Sequence, residues 1–326
     1  MSKDLFDFFD ELDDNEGLPA YLGFDAQRPR NPKGRINKKL ETAEQAFAAA
    51  QDSSRETFQF TYKAARFEEW WLLESLNDFY EHQWIGDVLR RVKGGKEASV
   101  YQCSAGAAIA AGLAAAKVYR PRSLRNLRND VLYREGRADL DSEGKVVLDG
   151  GMLHAMEKKT EYGKELLHQS WIAYEFTCMR DLHAAGADVP EPYTMANNAI
   201  LMEFIGDARS CAPTLSEIRL GKQEARRLFE RVLANLNILL SKERIHGDLS
   251  AYNILYWDGE ITLIDFPQVI SPRINRQAYK IFSRDVRRIC AYFAQQGVRS
   301  NPERLAESLW ASRGYAIPDP EQEGIE

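Results

Sequence analysis

The sequence contains no apolar run close to the roughly 18 residues that a membrane-spanning helix needs, which predicts a protein without a membrane partner. It has only four cysteines, which lie far apart without a C-x-x-C pair, so neither a disulfide framework nor a cysteine-rich zinc site is indicated. The N-terminus is acidic where a secretory signal would be basic and then apolar. Together these absences predict a reduced, cytoplasmic protein.

The formal net charge of −6 is distributed unevenly along the chain. Residues 4–16 and the tail 319–326 are acidic, whereas Arg28–Lys39 is basic and rich in proline, glycine and asparagine. A solvated linker is the favoured interpretation of this basic segment. An arm that contacts RNA or another phosphate surface is the alternative.

An irregular charged tail over residues 1–37 precedes a stretch of helical composition. The sequences KKLETAEQAFAAAQ and FEEWWLLESLNDFYEH both favour helix, which predicts a helical N-terminal extension over residues 38–85. Its aromatic residues are interpreted as packing residues and not as a ligand cage: Trp70, Trp71, Phe79 and Tyr80.

Strand patterns begin at Gly86. The sequence IGDVLRRVKGGKEASVYQCSAG predicts two antiparallel strands joined by a glycine turn, and AAIAAGLAAAKVYRP predicts a third strand that carries Lys117. The charged segment from Arg120 to Gln169 has weak periodicity and is predicted to be a long loop. A helix is predicted from Ser170, with Gly186 as its stop, and NAILMEFIGD predicts a further strand.

These elements predict an α+β, two-lobed protein with a small β-rich N-lobe and a helical C-lobe. The N-lobe is placed at residues 86–206, with the charged insertion 120–169 inside it, and the C-lobe at residues 207–318. The apolar stripe predicted for the helix after Ser170 comprises Trp171, Tyr174, Cys178 and Leu182.

The stretch IHGDLSAYNIL places polar residues in an otherwise apolar context. Asp248 and Asn253 are five residues apart, and Asp265 follows Asn253 by twelve at the end of ITLID. A buried carboxylate is costly unless a partner pairs with it. Asp248 is suited to accept a hydrogen bond from an attacking hydroxyl or water, while Asn253 and Asp265 are suited to hold Mg²⁺ on nucleotide phosphates. The hairpin LYWDGEIT is expected to fold the two metal ligands towards one point.

Three further features are weak evidence for nucleotide binding when taken alone, and their order along the chain strengthens that evidence. A glycine turn in GGKEASV lets backbone N–H groups approach phosphates, Lys117 offers a fixed cation, and Glu175 can hold that cation by an ion pair. Taken singly, they are a common hairpin, an edge-strand charge and a surface glutamate. Followed by H-G-D-L-S-x-Y-N and I-D, they form the order of parts found in protein-kinase-like phosphoryl transfer.

The sequence departs from ordinary protein kinases in ways that bear on substrate docking. Gly247 stands where the H-R-D arginine would be, so no side chain there can bind an activation-loop phosphate. Asp265 is followed by Phe-Pro, so the glycine of D-F-G is missing, and no A-P-E follows. The usual platform for peptide docking is therefore expected to be absent or reduced.

From Gly86 to Val298 the chain resembles the RIO family of atypical serine/threonine protein kinases, in a branch without a recognisable winged helix. GGKEASVY is similar to the family's nucleotide loop, AAKVYR to its strand-lysine motif, and LMEFIGD to its hinge. HGDLSAYNIL and IDFPQ resemble its catalytic and metal motifs, and FSRDVRRICAYFAQQGV its closing helix. The resemblance implies a two-lobed protein-kinase-like fold.

The resemblance also implies a role for each matching residue. Asp248 and Asp265 would be catalytic, Asn253 and Asp265 would hold Mg²⁺ or Mn²⁺, and Lys117, paired with Glu175, would contact the ATP phosphates. Glu203 and Ile205 would offer backbone groups to adenine, with Met202 as gatekeeper. The nucleotide loop would bind ATP through Gly95, Lys96, Glu97, Ala98, Ser99 and Val100.

Three functions compete at this point. The first is a Mg-ATP-dependent serine/threonine protein kinase that phosphorylates itself or a protein partner. The second is an ATPase switch that acts through an aspartyl-phosphate at Asp265 to control docking on a ribosomal or other large assembly. The third is a small-molecule phosphotransferase of the aminoglycoside or choline kinase type, which shares H-G-D-x-x-x-x-N but lacks the G-K-E-A loop and the I-D-x-x-Q ending.

Overall fold

The structure is a computed structural model that describes residues 58–95, 97–120, 137–196 and 198–317. Several predicted segments lie outside the described residues: the tail 1–37, the first predicted helix, Lys96, residues 121–136 of the insertion and the acidic tail 319–326. The chain divides into two compact units, Met1–Asn126 and Leu127–Glu326. No helix within the described ranges is both long and apolar enough to cross a membrane. The predicted domain boundaries stay a prediction.

The first unit contains helix α1 (Arg66–Glu81) and the antiparallel strands β1 (Ile85–Gly94), β2 (Ala98–Ala105) and β3 (Leu113–Tyr119). The predicted helix and the two strands around the glycine turn are therefore confirmed. The third strand is confirmed only from Leu113 onwards. The alanines before it form a loop that closes where Ala105 N–H donates to the Gly112 carbonyl at 3.1 Å.

Helix α1 is anchored to the sheet of the first unit by a buried carboxylate. Glu68, only 5% exposed, accepts hydrogen bonds from the Tyr101 hydroxyl at 2.8 Å and the Tyr62 hydroxyl at 3.2 Å, and lies 3.7 Å from Arg91. Burial and the neighbouring Glu68 raise the pKa of the Tyr101 phenol, which keeps it a donor. Tyr101 directly follows Val100 of the nucleotide loop on β2, so the extension supports the strand that carries this loop.

The aromatic residues of α1 pack as predicted. The Trp71 indole N–H donates to the Tyr119 carbonyl at 2.9 Å, Phe79 is fully buried, and Trp70 lies against Trp71. Tyr80 stacks on Phe58 with ring centres 4.5 Å apart. Aromatic pairs of this kind favour packing beyond the area that they bury.

In the second unit the predicted loop over 120–169 is wrong for its C-terminal part. Helix α2 spans Gly150–Glu157, and helix α3 spans Glu161–Ala184, so α3 begins nine residues before the predicted start at Ser170. Side-chain caps explain both starts, because Asp149 Oδ1 accepts from Met152 N–H at 2.8 Å and Thr160 Oγ1 from Gly163 N–H at 3.0 Å.

The predicted face and end of α3 are largely confirmed. Cys178 and Leu182 of the predicted stripe are buried, while Trp171 and Tyr174 are half-buried. The helix ends at Ala184, and Gly186, two residues later, has a φ of +79° that suits a glycine after a helix C-terminus, so the predicted stop is confirmed.

A β-hairpin of strands β4 (Pro192–Ala196) and β5 (Ala199–Glu203) follows α3. The prediction of strand in NAILMEFIGD is confirmed for β5, whereas β4, which begins at Pro192, was not predicted. Proline is compatible with the first position of a strand, where its missing N–H breaks no ladder hydrogen bond.

The rest of the second unit is mainly helical, as predicted. It comprises α4 (Lys222–Ser241), the hairpin strands β6 (Ile254–Trp257) and β7 (Glu260–Leu263), α5 (Ala278–Gln295) and α6 (Pro302–Ala311). The apolar faces of these elements form its core, which includes Leu228, Val232, Leu236, Val286, Ile289 and Phe293.

A polar network centred on Asp188 ties the end of β7 to α4. The Asp188 carbonyl accepts from Leu263 N–H at 2.7 Å, and its own N–H donates to Asn235 Oδ1 at 2.7 Å. The Asp188 carboxylate accepts from Asn235 Nδ2 at 2.6 Å and from Arg231 Nε and Nη2, each at 2.5 Å. Leu263 precedes Asp265 by two residues, so this network supports the strand that presents a predicted metal ligand.

We expect Asn235→Ala to lower the free energy of unfolding by roughly 2–3 kcal/mol, because Asn235 is 1% exposed and its loss leaves Asp188 N–H without its acceptor. Urea unfolding followed by circular dichroism measures the change. Arg231→Ala is the matched comparison within the network. It should cost less, because the Arg231 side chain is 50% exposed and water can replace it. Equal costs for the two variants would contradict this account.

Candidate active site

His246 fixes the backbone at the start of the loop over residues 245–253, which contains the predicted catalytic residue Asp248 and is called the catalytic loop below. Ile245 exchanges both backbone hydrogen bonds with Ile270, at 2.9 and 3.0 Å, so the loop enters the site held against the segment after Asp265. The Asp248 N–H donates to His246 Nδ1 at 3.3 Å, which leaves the proton on Nε2 to donate to the Ile264 carbonyl at 3.1 Å. The buried imidazole therefore links the backbone of Asp248 to the end of the hairpin that carries Asp265.

Gly247 has a conformation and an environment that suit glycine. Its φ is +85°, and a Cβ atom added there would lie 2.2 Å from the Gln268 carbonyl oxygen. Its N–H donates to Asp285 Oδ2 at 3.0 Å, and its carbonyl accepts from Arg284. Gly247, the residue that departs from the H-R-D pattern, is therefore held by two hydrogen bonds to side chains of helix α5.

Asp285 is the buried partner of this loop, with 1% exposure. Burial raises the pKa of its carboxyl above the ordinary value, and the neighbouring His246 and Arg284 oppose that rise. Besides Gly247, the Leu249 backbone N–H also donates to it. One carboxylate therefore binds the residues on both sides of Asp248.

Asp248 lies where a substrate hydroxyl can reach it, since its side chain is 41% exposed. Its Oδ1 accepts from Arg288 Nη1 at 2.7 Å, and its Oδ2 lies 3.4 Å from Asn253 Nδ2. Asn253 Nδ2 also donates to the Asp248 carbonyl at 2.9 Å. The structure thus brings two of the predicted site residues together within one loop.

The β6–β7 hairpin brings Asp265 to the same place as Asn253. Its turn contains Asp258 and Gly259 at φ +48° and +84°, as tight hairpin turns require. At its open end Ile264 N–H donates to the Asn253 carbonyl at 3.0 Å, so the residues on either side of the hairpin are adjacent. Asp265 follows directly, is exposed and has φ +72°, a strained conformation that is common at functional sites.

The donor atoms of Asn253 and Asp265 fit a hard divalent cation. The Asn253 amide nitrogen is engaged with Asp248, so its Oδ1 is the atom that remains for a metal. Asp265 supplies a carboxylate, and Mg²⁺ prefers a few such oxygens together with phosphate and water. Within the described ranges, no group of three or more His, Cys, Asp or Glu side chains is placed to hold a metal. The two predicted ligands therefore suit a cation that arrives with nucleotide phosphates.

In the first unit the nucleotide loop occupies the turn between β1 and β2. Gly95, Glu97, Ala98, Ser99 and Val100 lie at this turn and at the start of β2, and Lys96 lies outside the described residues. Val100 is directly opposite Lys117 in the antiparallel register of β2 and β3.

Lys117 lies on β3, where its ammonium is 5.5 Å from the centre of the Tyr119 ring. The two side chains share one face of the strand, because residues two apart point to the same side. The predicted order of glycine turn and strand lysine is therefore present within one sheet.

Glu175, Met202, Glu203 and Ile205 belong to the second unit. Glu175 lies on α3 and is only 3% exposed, so the interpretation as a surface helix glutamate is wrong. Met202 and Glu203 end β5, where Glu203 N–H donates to the Glu191 carbonyl at 2.8 Å. The Ile205 carbonyl accepts from Ala212 N–H at 2.9 Å. These bonds use one backbone group of each predicted hinge residue.

Sequence reasoning missed three residues that support the site. Asp285 and Arg288 are three positions apart on α5, a spacing that places both on one helix face. Arg137, the last residue of YREGR, donates through Nη2 to the carbonyls of Pro267 at 2.6 Å and Val269 at 2.8 Å. Its guanidinium also lies 4.5 Å from the centre of the Tyr174 ring on α3.

An aspartate on a loop, an asparagine five residues later and an aspartate at the end of the next hairpin define the class of protein-kinase-like phosphotransferases. The protein-family model for the RIO domain matches residues 132–305, more than half of the chain. The chain belongs to the RIO family. This confirms the predicted family and the kinase-like α+β fold class.

Several relatives carry names of the same kind. The chain is 27% identical over 222 residues to the RIO-type serine/threonine-protein kinase Rio1 of Haloferax volcanii, which covers 68% of each protein. It is 32% identical over 125 residues to the serine/threonine-protein kinase rio1 of Schizosaccharomyces pombe, covering 38% of this chain and 25% of that protein. It is 28% identical over 138 residues to human serine/threonine-protein kinase RIO3, covering 42% of this chain and 26% of that protein.

The RIO domain match covers only part of the predicted site. The RIO domain match begins at residue 132, after the nucleotide loop and Lys117. The family uses ATP and a divalent metal in general, which confirms the coarser part of the predicted cofactors. The roles predicted for single site residues stay predictions.

Proposed function

We propose that the protein is a RIO-type serine/threonine protein kinase that uses Mg-ATP to phosphorylate itself or a protein partner. The arrangement of Asp248, Asn253 and Asp265 carries the proposal, because it combines an accessible carboxylate with two adjacent oxygen ligands for a metal. The relatives named as serine/threonine-protein kinases support the same activity. Mg²⁺ is the proposed metal, with Mn²⁺ as the alternative.

In the proposed reaction Asp248 orients the acceptor hydroxyl and accepts its proton as the oxygen attacks the γ-phosphorus of ATP. The bond from the γ-phosphorus to the bridging oxygen breaks, and ADP leaves with the electron pair. Asn253 Oδ1 and the Asp265 carboxylate would hold the divalent cation, which neutralises charge on the phosphates when bound. His246 holds the Asp248 backbone N–H, and Asp285 holds the neighbouring Gly247 N–H, so both would keep Asp248 in place.

We assign Lys117 to the ATP phosphates and Glu175 to the role of its ion-pair partner. Glu175 is buried on α3, and a cation stabilises a buried carboxylate, which supports this assignment. Glycine-turn N–H groups from Gly95 to Val100 would contact the same phosphates. For adenine we assign the Glu203 carbonyl and the Ile205 N–H, because the other backbone group of each residue is already bonded.

Lys117→Ala is expected to raise the KM for ATP and lower kcat, because the phosphates lose the cation that fixes them. Steady-state kinetics with varied Mg-ATP measure both constants. Lys63→Ala, an exposed lysine of the first unit that precedes α1, is the matched control and should leave both unchanged. Unchanged turnover in Lys117→Ala would instead assign the phosphates to another cation, such as Lys96.

An ATPase switch is the second candidate, and two observations favour it. Asp265 is exposed, so its carboxylate is accessible for attack on the γ-phosphorus. The segment after it leaves little room for a platform that docks a peptide, since only residues 266–277 lie between Asp265 and α5. Arg137 also holds this segment through hydrogen bonds to the carbonyls of Pro267 and Val269. A ribosomal or other RNA-containing partner for this switch rests on the basic segment 28–39, which lies outside the described residues.

Tracking the γ-phosphate of labelled ATP tests these functions. The purified protein is incubated with Mg²⁺ or Mn²⁺, with and without candidate protein acceptors, and Asp248→Asn is run in parallel. Label on serine or threonine that is lost in the variant supports the kinase. Free phosphate with label only in an alkali-labile acyl species at Asp265 favours the ATPase switch. No consumption of ATP until small hydroxyl acceptors are added would overturn both in favour of a small-molecule phosphotransferase.

A further inference from the structure

Helix α5 contacts the catalytic loop through side chains that face it from one side. Asp285 accepts from Gly247 N–H, and Arg284 donates to the Gly247 carbonyl, so both act on the backbone. Arg288 lies one helical turn after Arg284 and acts on a side chain instead, because its Nη1 donates to Asp248 Oδ1 at 2.7 Å. Arg288 is therefore the residue of this helix that directly contacts the proposed catalytic carboxylate.

The contact distinguishes the two oxygens of Asp248. Oδ1 is held by the Arg288 guanidinium, whereas Oδ2 faces Asn253 at 3.4 Å from its amide nitrogen. Oδ2 thus lies on the side of the metal ligand, where an acceptor oxygen must stand to attack a metal-held phosphate. We propose that Arg288 is a positioning residue that turns the Asp248 carboxylate so that Oδ2 receives the acceptor hydroxyl. This inference rests on the proposed function of the site.

Magnitudes favour orientation over stability as the role of this pair. The side chains of Arg288 and Asp248 are 42% and 41% exposed, and exposed ion pairs typically contribute only about 0.2–1 kcal/mol to stability. Rate is more sensitive, because a misplacement of about 1 Å at a reacting group can cost on the order of 100-fold. Without the Arg288 guanidinium, the partly exposed carboxylate would keep only its 3.4 Å contact with Asn253 Nδ2 and would be less restricted in rotamer.

Steady-state kinetics of Arg288→Ala test the inference. The expected result is a fall in kcat by about 10- to 100-fold with an unchanged KM for ATP, because the contacts proposed for the nucleotide remain. Arg288→Lys should recover part of the rate, since it keeps a cation but loses the planar guanidinium. Guanidinium ion added to Arg288→Ala should also restore part of the rate, which a residue with only a structural role would not show.

Arg287→Ala is the matched control on the same helix. Its guanidinium is exposed and lies 3.8 Å from Glu303, away from the catalytic loop, so kcat should be unchanged. Equal kcat values for wild type, Arg288→Ala and Arg287→Ala would overturn the inference. A fall in kcat that neither lysine nor guanidinium restores would overturn it as well, in favour of a structural role.

A stability measurement, which does not depend on phosphate transfer, separates this inference from the proposed function. A double-mutant cycle of Asp248→Ala and Arg288→Ala in urea unfolding reports the contact whether or not the protein transfers phosphate, because each single variant removes the contact between Asp248 Oδ1 and Arg288 Nη1. Non-additive effects support the contact, and additive effects overturn the inference. Wild-type protein that transfers no phosphate would overturn the proposed function alone.

Discussion

Asp248→Asn is expected to abolish transfer of the γ-phosphate while leaving ATP binding intact. The amide has the shape of the carboxylate and can still accept from Arg288, so the loop should keep its conformation. It cannot accept a proton from the attacking hydroxyl, and loss of a general base typically costs about 100- to 10,000-fold in rate. The metal ligands Asn253 and Asp265 remain. Labelled-ATP transfer gives the rate, and equilibrium binding of Mg-ATP gives the affinity.

Asp258→Asn is the matched control for that substitution. Asp258 is exposed in the turn of the β6–β7 hairpin at φ +48°, a conformation that asparagine adopts readily. The control should therefore transfer phosphate at the wild-type rate. Normal turnover by Asp248→Asn would refute the assigned role of Asp248. Loss of both turnover and ATP affinity would instead indicate that Asp248 takes part in holding the nucleotide.

The chemical core of the site was predictable from sequence because its residues are held by local structure. Asp248 and Asn253 belong to one loop with a fixed spacing, and a two-strand hairpin with an Asp-Gly turn carries the chain from Asn253 to Asp265. Hairpin geometry then forces the two ends together, as the hydrogen bond from Ile264 N–H to the Asn253 carbonyl shows. No contact between distant segments was needed for this inference.

The supporting residues were not predictable because their partners are distant in sequence. Arg288 is 40 residues from Asp248, and Arg137 is 132 residues from the Val269 carbonyl that it binds. In the sequence they belong to ordinary charged stretches. Glu175 illustrates the same limit, because helical spacing places it near an apolar stripe without showing whether the helix face is covered.

The insertion shows a different limit of sequence patterns. Residues 150–169 have weak apolar periodicity, so they resemble loop, yet α2 and the first turns of α3 form there. Their starts depend on the single side chains of Asp149 and Thr160. Gly163 also lets the helices approach closely, since a Cβ atom there would lie 1.8 Å from the Ala155 carbonyl oxygen. Capping and one close contact outweigh periodicity in this segment.

Arg137 gives the insertion a connection to the site. Its guanidinium bridges the Tyr174 ring on α3 and the carbonyls of Pro267 and Val269, which follow Asp265. Tyr174 directly precedes Glu175, the proposed partner of the strand lysine. The helix that carries the proposed counter-ion and the segment that carries a proposed metal ligand are therefore joined by one side chain within the second unit.

Asp285→Ala is expected to disrupt the site through its backbone. The carboxylate is buried, accepts from Gly247 and Leu249 N–H, and lies 3.2 Å from the Arg284 guanidinium. Removing it leaves buried donors without their acceptor, which should lower the free energy of unfolding by about 3 kcal/mol. Since Gly247 directly precedes Asp248, kcat should fall as well, even at temperatures where the variant is fully folded.

The conservative change Asp285→Asn is expected to have a smaller effect on stability and on kcat. Its amide oxygen can accept one of the backbone N–H groups, while its NH₂ group would face a second donor, so both stability and kcat should lie between wild type and Asp285→Ala. Arg287→Ala, exposed on the same helix, should leave both unchanged. Urea unfolding and labelled-ATP transfer measured on the three variants decide the outcome. If Asp285→Ala unfolded like wild type, the buried carboxylate would not be the anchor of the catalytic loop. If it lost stability but kept kcat, the conformation of Gly247 would be set instead by its contact with Gln268 and by Arg284.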